Sequence, residues 1–231
     1  VQDNYLKFCI LPVSHPDFAL KNEKTASMST WISLFLKTPD KNKVVDRLKS
    51  LSGITISNEG AFPNDCFEHF LLDESLPNYL VIGSPQQDWV RVVYNSSHKL
   101  TDWCITLSGE LETEVILTLA QSVSDYYYFA YYSKGVKLRE LEFCYSADFD
   151  EINFGEKFHF ENEKPGIKSD FDGEESYLFD FESIEKYCGH FGIEVETDDS
   201  KATWTILKGQ SKGKTMKDCV EGERKPWWKI W

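Results

Sequence analysis

The stretch KGQSKGKT at residues 208–215 has the residue types of a nucleotide site. It ends in Gly213-Lys214-Thr215, as a phosphate-binding loop does when backbone amides wrap the phosphates and the lysine neutralises them. Such a loop needs a glycine five residues before Gly213, where Lys208 stands. Gly209 leaves it one residue short, and the sixteen residues after Thr215 are too few for a strand bearing a magnesium-binding aspartate. The segment therefore reads as a basic turn that binds neither ATP nor GTP. Asp170-x-Asp172-Gly173-Glu174-Glu175 has calcium-ligand chemistry, but its glycine comes two positions too early for an EF-hand loop. Asp148-x-Asp150 lacks the remaining ligands, so both runs read as solvated acidic loop. The five histidines are scattered and show no HExxH spacing. On a strand, His159 and Glu161 would share one face, a thin basis for acid–base work. GxSxG, GxGxxG and HxE…CxxC are absent.

None of the six cysteines is paired as CxxC, and most sit among apolar residues. They read as small buried hydrophobes in a reducing compartment, which makes the expected location cytoplasmic. There Asn95-Ser96-Ser97, a glycosylation sequon, would go unused. No apolar run approaches ~18 residues, so no membrane-spanning segment is expected. Catalytic residues, metal ligands and cofactors are all left unassigned, and the chain leans away from being an enzyme.

The elements that would position any site follow from periodicity. Residues 4–11, 29–37, 53–57, 78–83, 88–95 and 114–121 read as strands. Thr38-Pro39-Asp40 supplies a cap, a proline at the first helical position and an acid in the first turn. The helix that follows carries Val44, Val45, Leu48 and Leu51 on one face, and Gly53 stops it. A second helix over 100–111 carries Leu100, Trp103, Cys104, Leu107 and Leu111. A third, 181–191, is opened by Asp180 and closed by Gly192, with Ile184, Tyr187 and Cys188 inward. Residues 57–75 read as irregular or locally helical. Residues 126–145 form a hairpin turning at Lys134-Gly135, 157–161 a short strand within a long connection, and 202–208 a last strand. Tyr126, Tyr128, Ala130 and Tyr132 face one side of the hairpin; Tyr127, Phe129 and Tyr131 face the other. Core packing is the expectation for these rings, ahead of partner contact and base stacking.

The fold class is α+β: a mainly antiparallel sheet with two or three packed helices in a single 1–231 domain. A faint echo joins Trp31-Ile32-x-Leu34 and its helix to Trp89-Val90-x-Val92 and its helix. It raises two ferredoxin-like strand–helix–strand halves, 1–76 and 77–145. An acidic connection, 146–176, and a helix–strand–tail segment, 177–231, would follow.

Net charge is −13 and uneven. Residues 201–231 hold eight basic and three acidic side chains, whereas residues 1–200 hold 17 basic and 35 acidic, a net of −18. A body of that sign repels nucleic acid and anionic membrane and suits a basic protein partner. Residues 146–176 concentrate ten acids against three lysines. The partner-binding residues expected there are Asp148, Asp150, Glu151, Asp170, Asp172, Glu174 and Glu175, with Phe154, Phe158, Phe160 and Phe171 as apolar anchors.

Trp89…Val93-Tyr94, then Leu100…Trp103…Leu107-Ser108…Leu111…Val115, then Asp125 with the aromatic hairpin, Gly135 and Arg139, resemble a group of bacterial proteins of uncharacterised function. Several of these look like immunity partners of secreted toxins. The resemblance covers residues 80–145 and brings no active-site motif. It implies non-enzymatic neutralisation of a basic toxin through an acidic face. Two other classes stay open: a small-ligand or sensor domain with an aromatic pocket, and an enzyme with an unmarked site.

Overall fold

The structure, a computed structural model, describes residues 30–63, 69–71, 75–121, 124–144, 151–162, 168–171, 174–177, 179–210 and 215. The strand expected at 4–11 and residues 211–214 of the 208–215 turn lie outside them. The chain runs β1 (Thr30–Lys37), α1 (Lys41–Ser52), β2 (Ser57–Gly60), β3 (Tyr79–Gln86), β4 (Trp89–Tyr94), α2 (Thr101–Glu110), β5 (Glu114–Gln121), β6 (Tyr126–Ser133), β7 (Val136–Cys144) and β8 (Ile152–Gly155). A 3-10 turn (His159–Asn162), β9 (Lys168–Phe171), β10 (Glu174–Tyr177), α3 (Phe181–His190), a second 3-10 turn (Asp199–Lys201) and β11 (Trp204–Lys208) follow.

Among the described residues, nine strands form one sheet in the order β2-β11-β3-β4-β1-β5-β6-β7-β8. Its registered neighbours are antiparallel. β9 and β10 pair separately as a two-stranded sheet. The α+β, mainly antiparallel class read from the sequence is the observed one. β1 lies between β4 and β5; α2 links β4 to β5, and α1 leads from β1 to the edge strand β2.

Strand alternation sends side chains to two covered faces. On one, Ile32, Leu34, Val92, Leu117, Tyr128 and Tyr132 pack with Val44 and Leu48 of α1 and Trp103 and Leu107 of α2. On the other, Phe35, Ile116, Phe129 and Leu141 pack with Ile184, Tyr187 and Cys188 of α3. A satellite cluster joins Tyr79, Val81 and Val93 to Trp204. The tyrosine-rich strand is therefore core on both sides: Tyr128, Phe129, Ala130 and Tyr132 are fully buried, and Tyr127 and Tyr131 are half-buried. Its hairpin closes through Lys134 (φ 50°) and Gly135 (φ 77°), the paired left-handed residues a two-residue turn requires. Ser108 Oγ accepts the Gly135 N–H at 3.1 Å, which docks α2 on the turn.

Three local readings need correction. Asp40, rather than Thr38, is the N-cap of α1: its carboxylate accepts the Lys43 N–H, while Thr38 Oγ1 accepts the Asp40 N–H. The strand expected at 53–57 begins only at Ser57 and runs to Gly60, because pairing with β11 organises this polar stretch and Ile54 is drawn into the core. Residues 159–162 form a 3-10 turn instead of a strand, since Glu161 folds back to accept the Phe158 N–H while its own N–H reaches the Phe158 carbonyl. The sequon asparagine Asn95 is 1% exposed. Its amide accepts from the Asn78 and Tyr79 N–H groups and donates to the His69 carbonyl and Asn78 Oδ1.

Two substitutions probe this packing. Phe129→Ala, at a fully buried ring 5.1 Å from Tyr187, should cost about 3–5 kcal/mol in urea unfolding. Gly83→Ala would set a Cβ 2.5 Å from a ring carbon of buried Trp204. It should cost about 1–3 kcal/mol, because the indole has no free side to move into.

Candidate functional site

The expected partner-binding residues divide by position. Glu151 is exposed immediately before β8, and Phe154 on β8 is 50% exposed. Phe158 and Phe160 turn to the opposite face, where Phe158 meets Phe129, Tyr131 and Phe191, and Phe160 lies between Tyr187 and His190. Asp170, Phe171, Glu174 and Glu175 lie on β9 and β10, with Asp170 opposite Glu175 and Phe171 opposite Glu174. Asp148, Asp150 and Asp172 lie outside the described residues. The structure thus brings Glu151 and Phe154 together at one end of the large sheet and puts Phe158 and Phe160 into packing.

That end is built around β7. The register shifts between Tyr131 and Tyr132, so Leu138 is an extra residue between Lys137, opposite Tyr132, and Arg139, opposite Tyr131. A bulge of this kind re-aims the residues beside it. It leaves Leu138 44% exposed and sends Arg139 inward, to 1% exposure. Arg139 Nε and Nη2 donate to the two oxygens of Glu161 at 2.9 and 2.7 Å. Nη1 donates to Asn153 Oδ1 and to the Phe154 carbonyl, both at 2.7 Å. One guanidinium therefore fastens β8 and the 3-10 turn to β7. Burial works to raise the Glu161 pKa, but the Arg139 hydrogen bonds, the Phe158 N–H, the guanidinium charge and Tyr187 outweigh it and hold the carboxyl below its ordinary value.

On the other face of β7, Glu140 and Glu142 each meet one phenol and one ammonium. Tyr128 donates to Glu140 Oε1 at 2.8 Å, and Lys137 Nζ sits 2.6 Å from Oε2. Tyr126 donates to Glu142 Oε1 at 2.8 Å, and Lys99 Nζ sits 2.6 Å from the same oxygen. Burial first, and then the neighbouring glutamates among other groups, raise the pKa of Tyr126 and Tyr128 far above the ordinary phenol range. Both stay protonated donors at neutral pH. Burial likewise pushes the Cys188 thiol up to about 12, and Cys104 further, so neither is a thiolate nucleophile.

The alternative sites from the sequence fare differently. His159 and Glu161 share a 3-10 turn, where Glu161 is taken up by Arg139 and the His159 ring meets Phe160 edge-on. Among the described residues, no group of three or more His, Cys, Asp or Glu is placed to hold a metal ion. Two open grooves, of about 440 and 580 Å³, are lined by charged and small residues of the turns around Lys37, Glu112 and Lys134 and by the α1–α2 end; neither lining contains Tyr or Trp. Among the described residues, no helix is long and apolar enough to cross a membrane. Comparison with protein-family models, curated proteins and solved structures found no match to this chain.

The Arg139 clamp makes two predictions. Arg139→Met should destabilise the protein by about 3–5 kcal/mol, because it leaves the Glu161 carboxylate buried and unpaired. Adding Glu161→Gln should recover part of that loss in urea unfolding. A carboxyl whose folded pKa is depressed contributes stability above its unfolded value, and the contribution is lost as pH falls through the folded value. Wild-type stability should therefore decline as pH drops below about 4.5, the ordinary value for this group, and the double variant should show a shallower acid limb over the same range.

Proposed function

We propose that this chain is a non-enzymatic protein-binding protein of the bacterial immunity type, acting in the cytoplasm, and that it holds a basic partner against the β7–β8 end of its sheet. The observation that carries this reading is the exposure of Leu138 (44%) and Phe154 (50%) on β7 and β8, the two outermost strands at this sheet margin. β8 is the terminal strand of the nine, and its outer edge has no registered partner among the described residues. An edge strand is a ready template for another chain, and large exposed apolar side chains grouped together mark contact surfaces. The acidic body would speed encounter with a cationic partner, and Leu138 and Phe154 would add affinity that charge alone does not give. Glu151 and Glu156 flank β8 on the exposed surface.

The strand order also supports reading the core as ferredoxin-like. β1-α1-β3, with the edge strand β2 inserted after α1, and β4-α2-β5 interleave as β3-β4-β1-β5. This pairing gives the Trp31 and Trp89 echo a structural meaning as equivalent strands of two halves.

The test is kinetic. With the basic protein retained on the immobilised chain, Phe154→Asp should weaken binding by roughly 2 kcal/mol, mainly through faster dissociation. Reversing Glu151, Glu156, Asp170 and Glu175 to Lys should slow association about tenfold and flatten its salt dependence. An association rate indifferent to both salt and the reversal would exclude the acidic-face reading.

A further inference from the structure

The two lysines at the sheet margin occupy sites of one design. Lys99 Nζ contacts Glu142 at 2.6 Å and lies over the Tyr128 ring, 4.9 Å from its centroid. Lys137 Nζ contacts Glu140 at 2.6 Å and lies over the Phe154 ring at 5.7 Å. Each site is a carboxylate fixed by a tyrosine hydroxyl, with an aromatic face beside it. Carboxylate and ring face both attract cations, the ring through its quadrupole. The glutamates are deep, with side chains 2% and 10% exposed, whereas the lysines reach solvent at 33% and 26%. A partner arriving from solvent meets the lysines first.

Lys99 does not satisfy its site. Glu142 takes both Tyr126 and Lys99 on Oε1, and its buried Oε2 has no partner among the described residues. An ammonium is a point charge on a flexible stem, while a guanidinium is a planar fork that donates to both carboxylate oxygens and stacks flat on a ring. The unfilled oxygen and the ring face together have the shape of a guanidinium site held by a stand-in. Glu140 and Glu142 are two residues apart on one strand face, so the sites repeat at about 6.5 Å. An extended chain with arginine at alternate positions has the same repeat.

We infer that Lys99 and Lys137 are internal placeholders in a tandem arginine-binding strip, and that the partner presents an extended Arg-x-Arg segment that displaces them. This rests on the reading of a basic partner at this face and adds the chemistry and spacing of what it inserts. Any fraction of time that the protein's own lysine holds a site lowers the apparent affinity for the incoming side chain in proportion.

The experiment uses the purified chain and two synthetic peptides of equal charge, acetyl-Arg-Thr-Arg-Thr-amide and acetyl-Arg-Arg-Thr-Thr-amide, titrated calorimetrically. The alternating peptide should bind the Lys99→Ala variant about tenfold more tightly than wild type, the factor expected if Lys99 holds its site nine-tenths of the time. The blocked peptide should bind both more weakly, and Glu142→Gln in the Lys99→Ala background should erase the gain. If Lys99→Ala fails to fold, Lys137→Ala, at the more exposed glutamate, carries the same comparison. Equal affinity for the two peptides, or an affinity unchanged by loss of the lysine, would overturn the inference. Because partner association through Phe154 is measured separately, failure of the strip and failure of the broader reading give different results.

Discussion

Burying a guanidinium is costly unless its donors are met, and Arg139 meets that demand within one margin of the sheet. Two donors go to Glu161, one bond to Asn153 and one to the Phe154 carbonyl. The acceptors come from two separate stretches of chain, β8 and the 3-10 turn, so the charge dictates where each must lie. The 3-10 turn follows from Glu161 facing Arg139, and the turn sets Phe158 and Phe160 against Tyr187 and Phe191 on the α3 face. β8 is held flush by the same group. Gly155 (φ 91°) completes the fit, since a Cβ there would lie about 2.0 Å from the Leu138 carbonyl oxygen. A hydrophobic pair can pack as tightly, but it would not specify which loop residues close on the strand.

The same margin explains why a strand with five tyrosines in seven positions is not a ligand-stacking surface. α1 and α2 cover one face of the sheet, α3 and the 3-10 turn the other. Phenols inside such a layer need hydrogen-bond partners. Glu140 and Glu142 accept from Tyr128 and Tyr126, and Tyr132 reaches Thr101 at 3.5 Å. The glutamates then need cations, which Lys137 and Lys99 supply. Aromatic bulk in the core thus leads, step by step, to charged groups at the surface.

Much of the framework was legible because local signals agreed with the tertiary result. The β6–β7 hairpin was written in alternation plus Lys134-Gly135, and α3 in Asp180, Ile184, Tyr187, Cys188 and Gly192. Those elements carry their own caps and periods. What was illegible depended on partners distant in sequence. β2 is SNEG, with no apolar alternation, and exists as a strand through its pairing with residues 204–207. Residues 157–161 have strand-like alternation, yet the pull of Arg139 makes 159–162 helical. The β9–β10 pairing had a cue in Asp172-Gly173, a favoured hairpin dipeptide, but it was hidden by reading the acids as loop. Arg139, Glu140 and Glu142 offered another: three charges within four residues of a hairpin read as core must be paired. Their partners, Glu161, Lys137 and Lys99, lie up to 43 residues away, and no spacing rule in a single sequence selects them.

Charge placement gives the margin its character. Arg139 faces inward and is neutralised by Glu161, so its charge is not offered to solvent. Glu140 and Glu142 face the other way, each held by a tyrosine hydroxyl and a lysine ammonium. Beyond the bulge at Leu138, strand alternation therefore puts a cation locked by Glu161 and two carboxylates on opposite faces of β7. Without the bulge, Arg139 and Glu140 would exchange faces, because a one-residue shift reverses every side chain on a strand. The guanidinium would then lie on the tyrosine side and the carboxylate against Glu161. The clamp and the paired Glu–Lys–Tyr groups on the other face are thus two results of one inserted residue, which also leaves Leu138 exposed at the sheet margin.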